Sequence, residues 1–251
     1  MKNDQYTVET EEIWRRLNGQ VHPVILRFSH DEYPYHGVGT AFILEHEGQL
    51  FVVSAQHVLD NQNAKSGDFT ILVRDAGYSL IFDLEAVFQP NYDPHFDLLI
   101  RRIAPFQHEL LTKQGVYWVG TEFTIDPQYH QDATVFYVFG YSEDDRAYDY
   151  DAKRISAALT CLPAKLASPS LEEMVTLQLL SVCPKSLRGF SGSPVFAVID
   201  EQWMFAGMLT LAAETGLMNL IPAYRIVGYL QQLHGMVQSG SGNLNGASEK
   251  E

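Results

Sequence analysis

Short apolar stretches alternate with polar or glycine-bearing turns along most of the chain. Residues 21–28 open the series. Residues 37–44 and 50–53 follow with a polar link at 45–49, a pattern that predicts a hairpin. Residues 70–73 and 79–82 predict further strands, as does the apolar run Leu98-Leu99-Ile100. Residues 104–112 read as a loop or short helical turn. Residues 133–140, 153–162, 174–180, 195–199, 203–211 and 217–221 complete the strand pattern. Two stretches instead repeat at helical spacing. In 7–17, Thr10 with glutamates behind it resembles a helix start, and Ile13, Trp14 and Leu17 share a face. In 222–233, Ile226, Val227, Leu230 and Leu233 line one side. The acidic stretch 143–151 predicts a solvated loop, and the Gly, Ser, Asn and charged residues from Ser239 onward predict a tail that cannot pack. Many short strands without regular βα alternation predict an all-β sandwich or barrel.

A chain of 251 residues suits one barrel-type domain or two small lobes. Its net charge of −14 argues against nonspecific binding to nucleic acid, so no nucleic-acid partner is expected. Cys161 and Cys183 are the two cysteines, which fits a reducing, cytoplasmic compartment, with both side chains acting as small buried hydrophobes. The start MKNDQYTVETEEIW shows no apolar core of a secretory signal, and no apolar run is long enough to span a bilayer, so no membrane partner is expected.

Candidate chemistry lies in three places. Gly189-Phe190-Ser191-Gly192-Ser193-Pro194 puts a serine between glycines that let the backbone bend and converge its amides. A serine hydroxyl needs a neighbouring base before it attacks anything. His57 follows directly behind the predicted hairpin, in Ser54-Ala55-Gln56-His57-Val58-Leu59. Asp97 stands at the mouth of an apolar strand and can orient that base. Asp93, in a turn before a proline, is the rival position and ranks lower. Taken singly, each also has an ordinary reading: a turn, a structural histidine, a strand-end cap. Their joint order, His then Asp then Ser, is one of three orders in which unrelated folds build the same acyl-transfer geometry. An α/β-hydrolase elbow fails because Ser193 occupies the position of its last glycine and only His234 follows the serine. A metal hydrolase fails too. His46-Glu47 lacks a second histidine, and no paired Cys/His spacing occurs, so no metal or other cofactor is expected.

On these motifs the chain resembles the trypsin-like (chymotrypsin-fold) serine peptidases, from about residue 21 to 233. GTAFIL resembles the family's second-strand motif, VVSAQHVL its histidine segment, FDLLI its aspartate segment and GFSGSP its nucleophile turn. AGMLTL and NLIPAYRI resemble the strands and helix that finish its second barrel. The scarcity of cysteine places the likeness nearer the disulfide-poor bacterial members.

The resemblance implies two six-stranded antiparallel β-barrels with the site in the cleft between them. It implies an N-terminal helical extension over 1–20, a first barrel over 21–118, a second barrel with its C-terminal helix over 119–234, and a disordered tail over 235–251. His57, Asp97 and Ser191 would be catalytic in peptide-bond hydrolysis, and the amides of Gly189 and Ser191 would form the oxyanion hole. The partner would be a peptide or protein substrate. Lys185 would lie near the base of the substrate pocket. An inward Lys185 favours an acidic side chain and the acidic 143–151 loop the opposite, so no specificity is assigned. Two positions depart from the family pattern. Phe190 stands where many members carry Asp or Asn, which excludes ordering of the turn by an ion pair with a freshly cut N-terminus. Ser193 stands where glycine is common. The alternative is a protein of the same fold that binds peptides or proteins without cutting them.

Overall fold

The computed structural model describes residues 17, 19–27, 32, 34–60, 64, 68–73, 76–88, 97–129, 135–152, 154–169, 174–180, 186–200 and 202–238. Two antiparallel β units account for most of them. The first contains β1 (Val21–Arg27), β2 (Tyr35–His46), β3 (Gln49–Ser54), β4 (Phe69–Val73), β5 (Ala76–Ser79), β6 (Phe82–Phe88) and β7 (Leu98–Ile103), ordered β5-β4-β1-β2-β3-β7-β6. The two-residue β8 (Val119–Gly120) pairs in parallel with β2. This path is an open half-barrel. The second unit closes into a six-stranded barrel from β9 (Phe136–Asp149), β10 (Arg154–Leu166), β11 (Val175–Leu179), β12 (Pro194–Ile199), β13 (Gln202–Ala212) and β14 (Leu217–Pro222). Three helices are described: α1 (His57–Asp60), α2 (His108–Lys113) and α3 (Ala223–Gln238). The expected all-β, two-barrel architecture holds.

Local chemistry explains the elements that carry the site. The β2–β3 link is Glu47-Gly48, with φ of 50° and 77°. Positive φ at both central residues is the two-residue hairpin turn whose twist matches the strands. It sets the register His46↔Gln49 through Ala41↔Ser54. Leu50 to Ser54 are buried on both faces of β3, which explains the continuous apolar run. One hydrophobic cluster joins β1, β2, β3 and β7 to Phe139, Phe196 and Phe205 of the second barrel and to Ile226, Leu230 and Leu233 of α3. A second cluster fills the closed barrel and includes Phe136, Val138, Leu177, Phe190, Val195 and Leu209. Arg101 is fully buried between the rings of Phe69 and Phe82, its guanidinium 5.1 and 5.2 Å from their centroids.

The structure corrects three readings. The acidic stretch is not a solvated loop. β9 runs on through Asp149 and pairs with β10, from Arg146↔Ala157 to Asp149↔Arg154. Arg146 and Tyr148 turn inward while Glu143, Asp144 and Asp149 face solvent, and Ile155 packs with Ile25 and Leu72 of the first unit. Residues 79–82, read as one strand, instead end β5 at Ser79 and begin β6 at Phe82, with Leu80 and Ile81 as the junction. Helix α3 continues past Leu233 to Gln238, into the segment expected to be tail. The short helical turn within 104–112 is a 3-10 turn, Pro105–Gln107, followed by α2. Cys161 is half-buried and its thiol is pushed up to about 12 by burial, while Cys183 lies outside the described residues. Of the N-terminal helix expected over 7–17, Leu17 alone is described, and it is buried; the tail from Ser239 lies outside the described residues. Among the described residues no helix is long and apolar enough to cross a membrane.

Candidate active site

β3 delivers its last residue, Ser54, into the interface between the two units, and the chain then turns into the single-turn helix α1. Val58 and Leu59 bury beneath that turn and anchor it, leaving His57 at its first position with the ring partly exposed. Asp97 immediately precedes β7, whose Leu98, Leu99 and Ile100 are fully buried and fix its place. One carboxylate oxygen of Asp97 accepts the backbone N–H of His57 at 2.7 Å. The other is hydrogen-bonded to Nδ1 of the ring. A carboxylate bonded at Nδ1 assigns the proton to that nitrogen, so Nε2 is left as an acceptor. Nε2 lies 2.9 Å from Oγ of Ser191. The three side chains singled out in the sequence, from β3–α1, the start of β7 and the turn before β12, are therefore in one hydrogen-bonded chain.

The serine turn is built around its glycines. Gly189 has φ of +90°, and a Cβ there would stand 2.4 Å from the carbonyl oxygen of Tyr141. Gly192 has φ of +88°, and a Cβ there would stand 2.1 Å from the carbonyl oxygen of Thr40. Neither position accepts a side chain without moving backbone. Phe190 between them is fully buried in the core of the closed barrel. Its N–H donates to the Leu187 carbonyl at 3.2 Å, and its carbonyl accepts from Ser193 N–H at 2.9 Å. The apolar ring thus anchors a turn that a carboxylate at this position could not anchor in the same way.

The segment ahead of the serine is tied to β9 from both sides. The Arg188 carbonyl accepts from Glu143 N–H at 2.9 Å. The Ser186 carbonyl accepts from the Ser142 hydroxyl, and Ser186 N–H donates to the Asp144 carboxylate, each at 2.9 Å. Because the peptide is trans, a 188 carbonyl aimed at Glu143 sends the Gly189 N–H the opposite way. Among the described residues no hydrogen bond engages the N–H of Gly189 or of Ser191. Within the described residues, the turn therefore leaves two N–H donors, separated by Phe190, for a group from outside the protein. Arg146, buried beneath this segment, donates through one Nη to the carbonyls of Gly39 and Tyr141, both at 3.0 Å. Burial pushes its guanidinium pKa down, with Tyr148 and Glu143 opposing the shift. Thr40 of β2 crosses to the turn with both its N–H and its hydroxyl.

A cavity of about 850 Å³ opens beside His57 and Ser191. Its walls include Leu187 and Arg188 on one side and Leu209 to Ala212 on the other. Lys185 and Asp93 lie outside the described residues. Sequence reasoning missed Thr40, Ser142, Asp144 and Arg146. The polar residues of 142–146 were legible as a pattern only if the acidic stretch was read as a strand.

No family model matches the chain, and no curated protein matches it by sequence. Solved structures do share its fold. Human heparin binding protein superposes with a TM-score of 0.55 at 13% identity, covering 94% of this chain and 96% of that one. A chain solved in connection with the coupled folding and binding of the intrinsically disordered Sesbania mosaic virus VPg protein gives a TM-score of 0.49 at 15% identity, covering 83% and 89%. With the first of these and the strand topology, the fold is a chymotrypsin-like double β-barrel.

Proposed function

We propose that this protein is a serine endopeptidase that cleaves peptide bonds of a peptide or protein substrate through an acyl-enzyme. The observation that carries the reading is the unbroken chain from Asp97 through both ring nitrogens of His57 to Ser191 Oγ, 2.9 Å from Nε2. In this mechanism Nε2 takes the hydroxyl proton as Oγ attacks the substrate carbonyl carbon. The carbonyl electron pair moves onto oxygen, where the amides of Gly189 and Ser191 receive the charge. Collapse breaks the C–N bond, and the departing amine takes the proton from Nε2. Water then attacks the acyl-enzyme, gives its proton to Nε2, and Ser191 recovers it as the carboxylic acid leaves. Asp97 holds the ring tautomer and offsets the imidazolium charge in both halves.

The same fold serves in binding, as the name of the human heparin binding protein says. Heparin is a polyanion, and a chain of net charge −14 repels polyanions at long range, so that ligand does not transfer here. An unbiased peptide-library cleavage profile tests the proposal. Wild type cuts at defined sites, and Ser191→Ala and His57→Ala, folded alike, do not. Equal cleavage by wild type and Ser191→Ala would reject it.

A further inference from the structure

Gly189 is the weak point of the anion-binding turn. With no Cβ and a φ of +90°, it can reverse a flanking peptide at little local cost, and a reversed 188–189 peptide would present a carbonyl where the N–H must be. Holding it requires both flanking peptide planes to be fixed. The first plane is held by Glu143 N–H on the Arg188 carbonyl at 2.9 Å. The second is held from the other unit. The Thr40 hydroxyl donates to the Gly189 carbonyl at 2.8 Å and accepts the Tyr141 N–H at 3.1 Å. The Thr40 N–H donates to the Ser191 carbonyl at 2.9 Å. One residue of β2 therefore holds the carbonyls of both residues whose amides receive the charge in the proposed mechanism. Thr40 is itself fully buried, so water does not compete for these bonds. Its own carbonyl is fixed by the Ser54 hydroxyl at 2.8 Å. The Phe190 side chain supplies packing, and its N–H, at the other end of the 189–190 peptide, donates to the Leu187 carbonyl at a longer 3.2 Å.

The geometry points to the hydroxyl of Thr40 as the positioning group that keeps the Gly189 amide aimed at the developing oxyanion. The inference rests on the hydrolytic reading above and adds a residue that touches neither substrate nor the reacting atoms.

Thr40→Val keeps the shape and removes the hydroxyl; Thr40→Ser keeps the hydroxyl. Both are compared with wild type on a peptide that wild type cleaves, below the thermal midpoint of each. Thr40→Val lowers kcat roughly ten- to a hundredfold with KM unchanged, the range for a small misplacement of a preorganised group. Thr40→Ser stays close to wild type. Wild-type kcat in folded Thr40→Val, a loss confined to KM, or equal losses in Val and Ser would each overturn the assignment. If Thr40→Val does not fold, Thr40→Ala takes its place under the same criteria. Amide exchange at Tyr141 gives a second readout that needs no turnover: it quickens in Thr40→Val and returns in Thr40→Ser. Unchanged exchange in Thr40→Val overturns the bridging role even if activity falls. A wild type that cleaves nothing rejects the hydrolytic reading instead, and the exchange experiment separates the two failures.

Discussion

Replacing Gly189 by alanine tests how the turn works. The added Cβ would lie 2.4 Å from the Tyr141 carbonyl oxygen, 2.8 Å from Arg146 Nη2 and 3.0 Å from Glu143 N. Alanine at a φ of +90° also costs about 1–2 kcal/mol in backbone strain. The contact at the Tyr141 oxygen is with backbone that is itself held by Arg146, so the alanine side gives way. Restoring an ordinary separation moves the 188–189 peptide by roughly 1 Å, which breaks the Glu143–Arg188 bond and swings the Gly189 N–H out of line. A displacement of that size costs about a hundredfold in rate, and outright loss of one oxyanion donor costs roughly 3 kcal/mol of barrier. Gly189→Ala is therefore expected to lower kcat by about a hundred- to a thousandfold while KM changes little. Steady-state kinetics on a peptide cleaved by wild type measures this, with thermal melting to establish that the variant is folded. A folded Gly189→Ala enzyme with wild-type kcat would refute the argument that this amide receives the charge.

Three further outcomes follow from other parts of the structure. Asp97→Asn leaves the ring in the wrong tautomer and drops kcat by roughly four orders of magnitude, whereas Asp93→Asn has little effect; kinetics showing the reverse would move the acid to Asp93. Phe190→Ala empties a fully buried site in the closed barrel and costs about 3–5 kcal/mol in urea unfolding, and a loss under about 1 kcal/mol would show that the ring does not anchor the turn. His22 is buried against the carbonyls of Leu72 and Gly19, and burial lowers its pKa from 6.5 to about 4. The unfolded chain then takes up the proton first. The stability from a neutral His22 is whole above pH about 6.5 and is lost as the pH falls to about 4, a total of about 3 kcal/mol. Urea unfolding at pH 7 and pH 4 should show wild type losing that much more than His22→Gln, and equal losses would contradict it.

What was legible in the sequence was whatever local pattern decides. The β2–β3 hairpin declared itself by two apolar runs around Glu47-Gly48, and α3 by Ile226, Leu230 and Leu233 at helical spacing, all three of which bury. His57, Asp97 and Ser191 could be selected because each sits at the end of a strongly apolar element that fixes its place. The ribbon at the end of β9 was not legible, because its inward residues, Arg146 and Tyr148, are polar and look like members of a charged surface run. Their burial depends on the first unit, through neighbours such as Gly37, whose N–H donates to the Tyr148 hydroxyl at 2.9 Å. Thr40 was hidden for a related reason. A single threonine in an apolar strand is ordinary, and its partners at Gly189 and Tyr141 lie 149 and 101 positions away.

The proposed hydrolysis requires Ser191 to be an activated nucleophile. A fluorophosphonate probe followed by peptide mapping measures this directly. A stoichiometric adduct is expected on the peptide carrying Ser191, absent in Ser191→Ala and strongly slowed in His57→Ala. Well-folded wild type that takes up no probe, or takes it up at another residue, would contradict it.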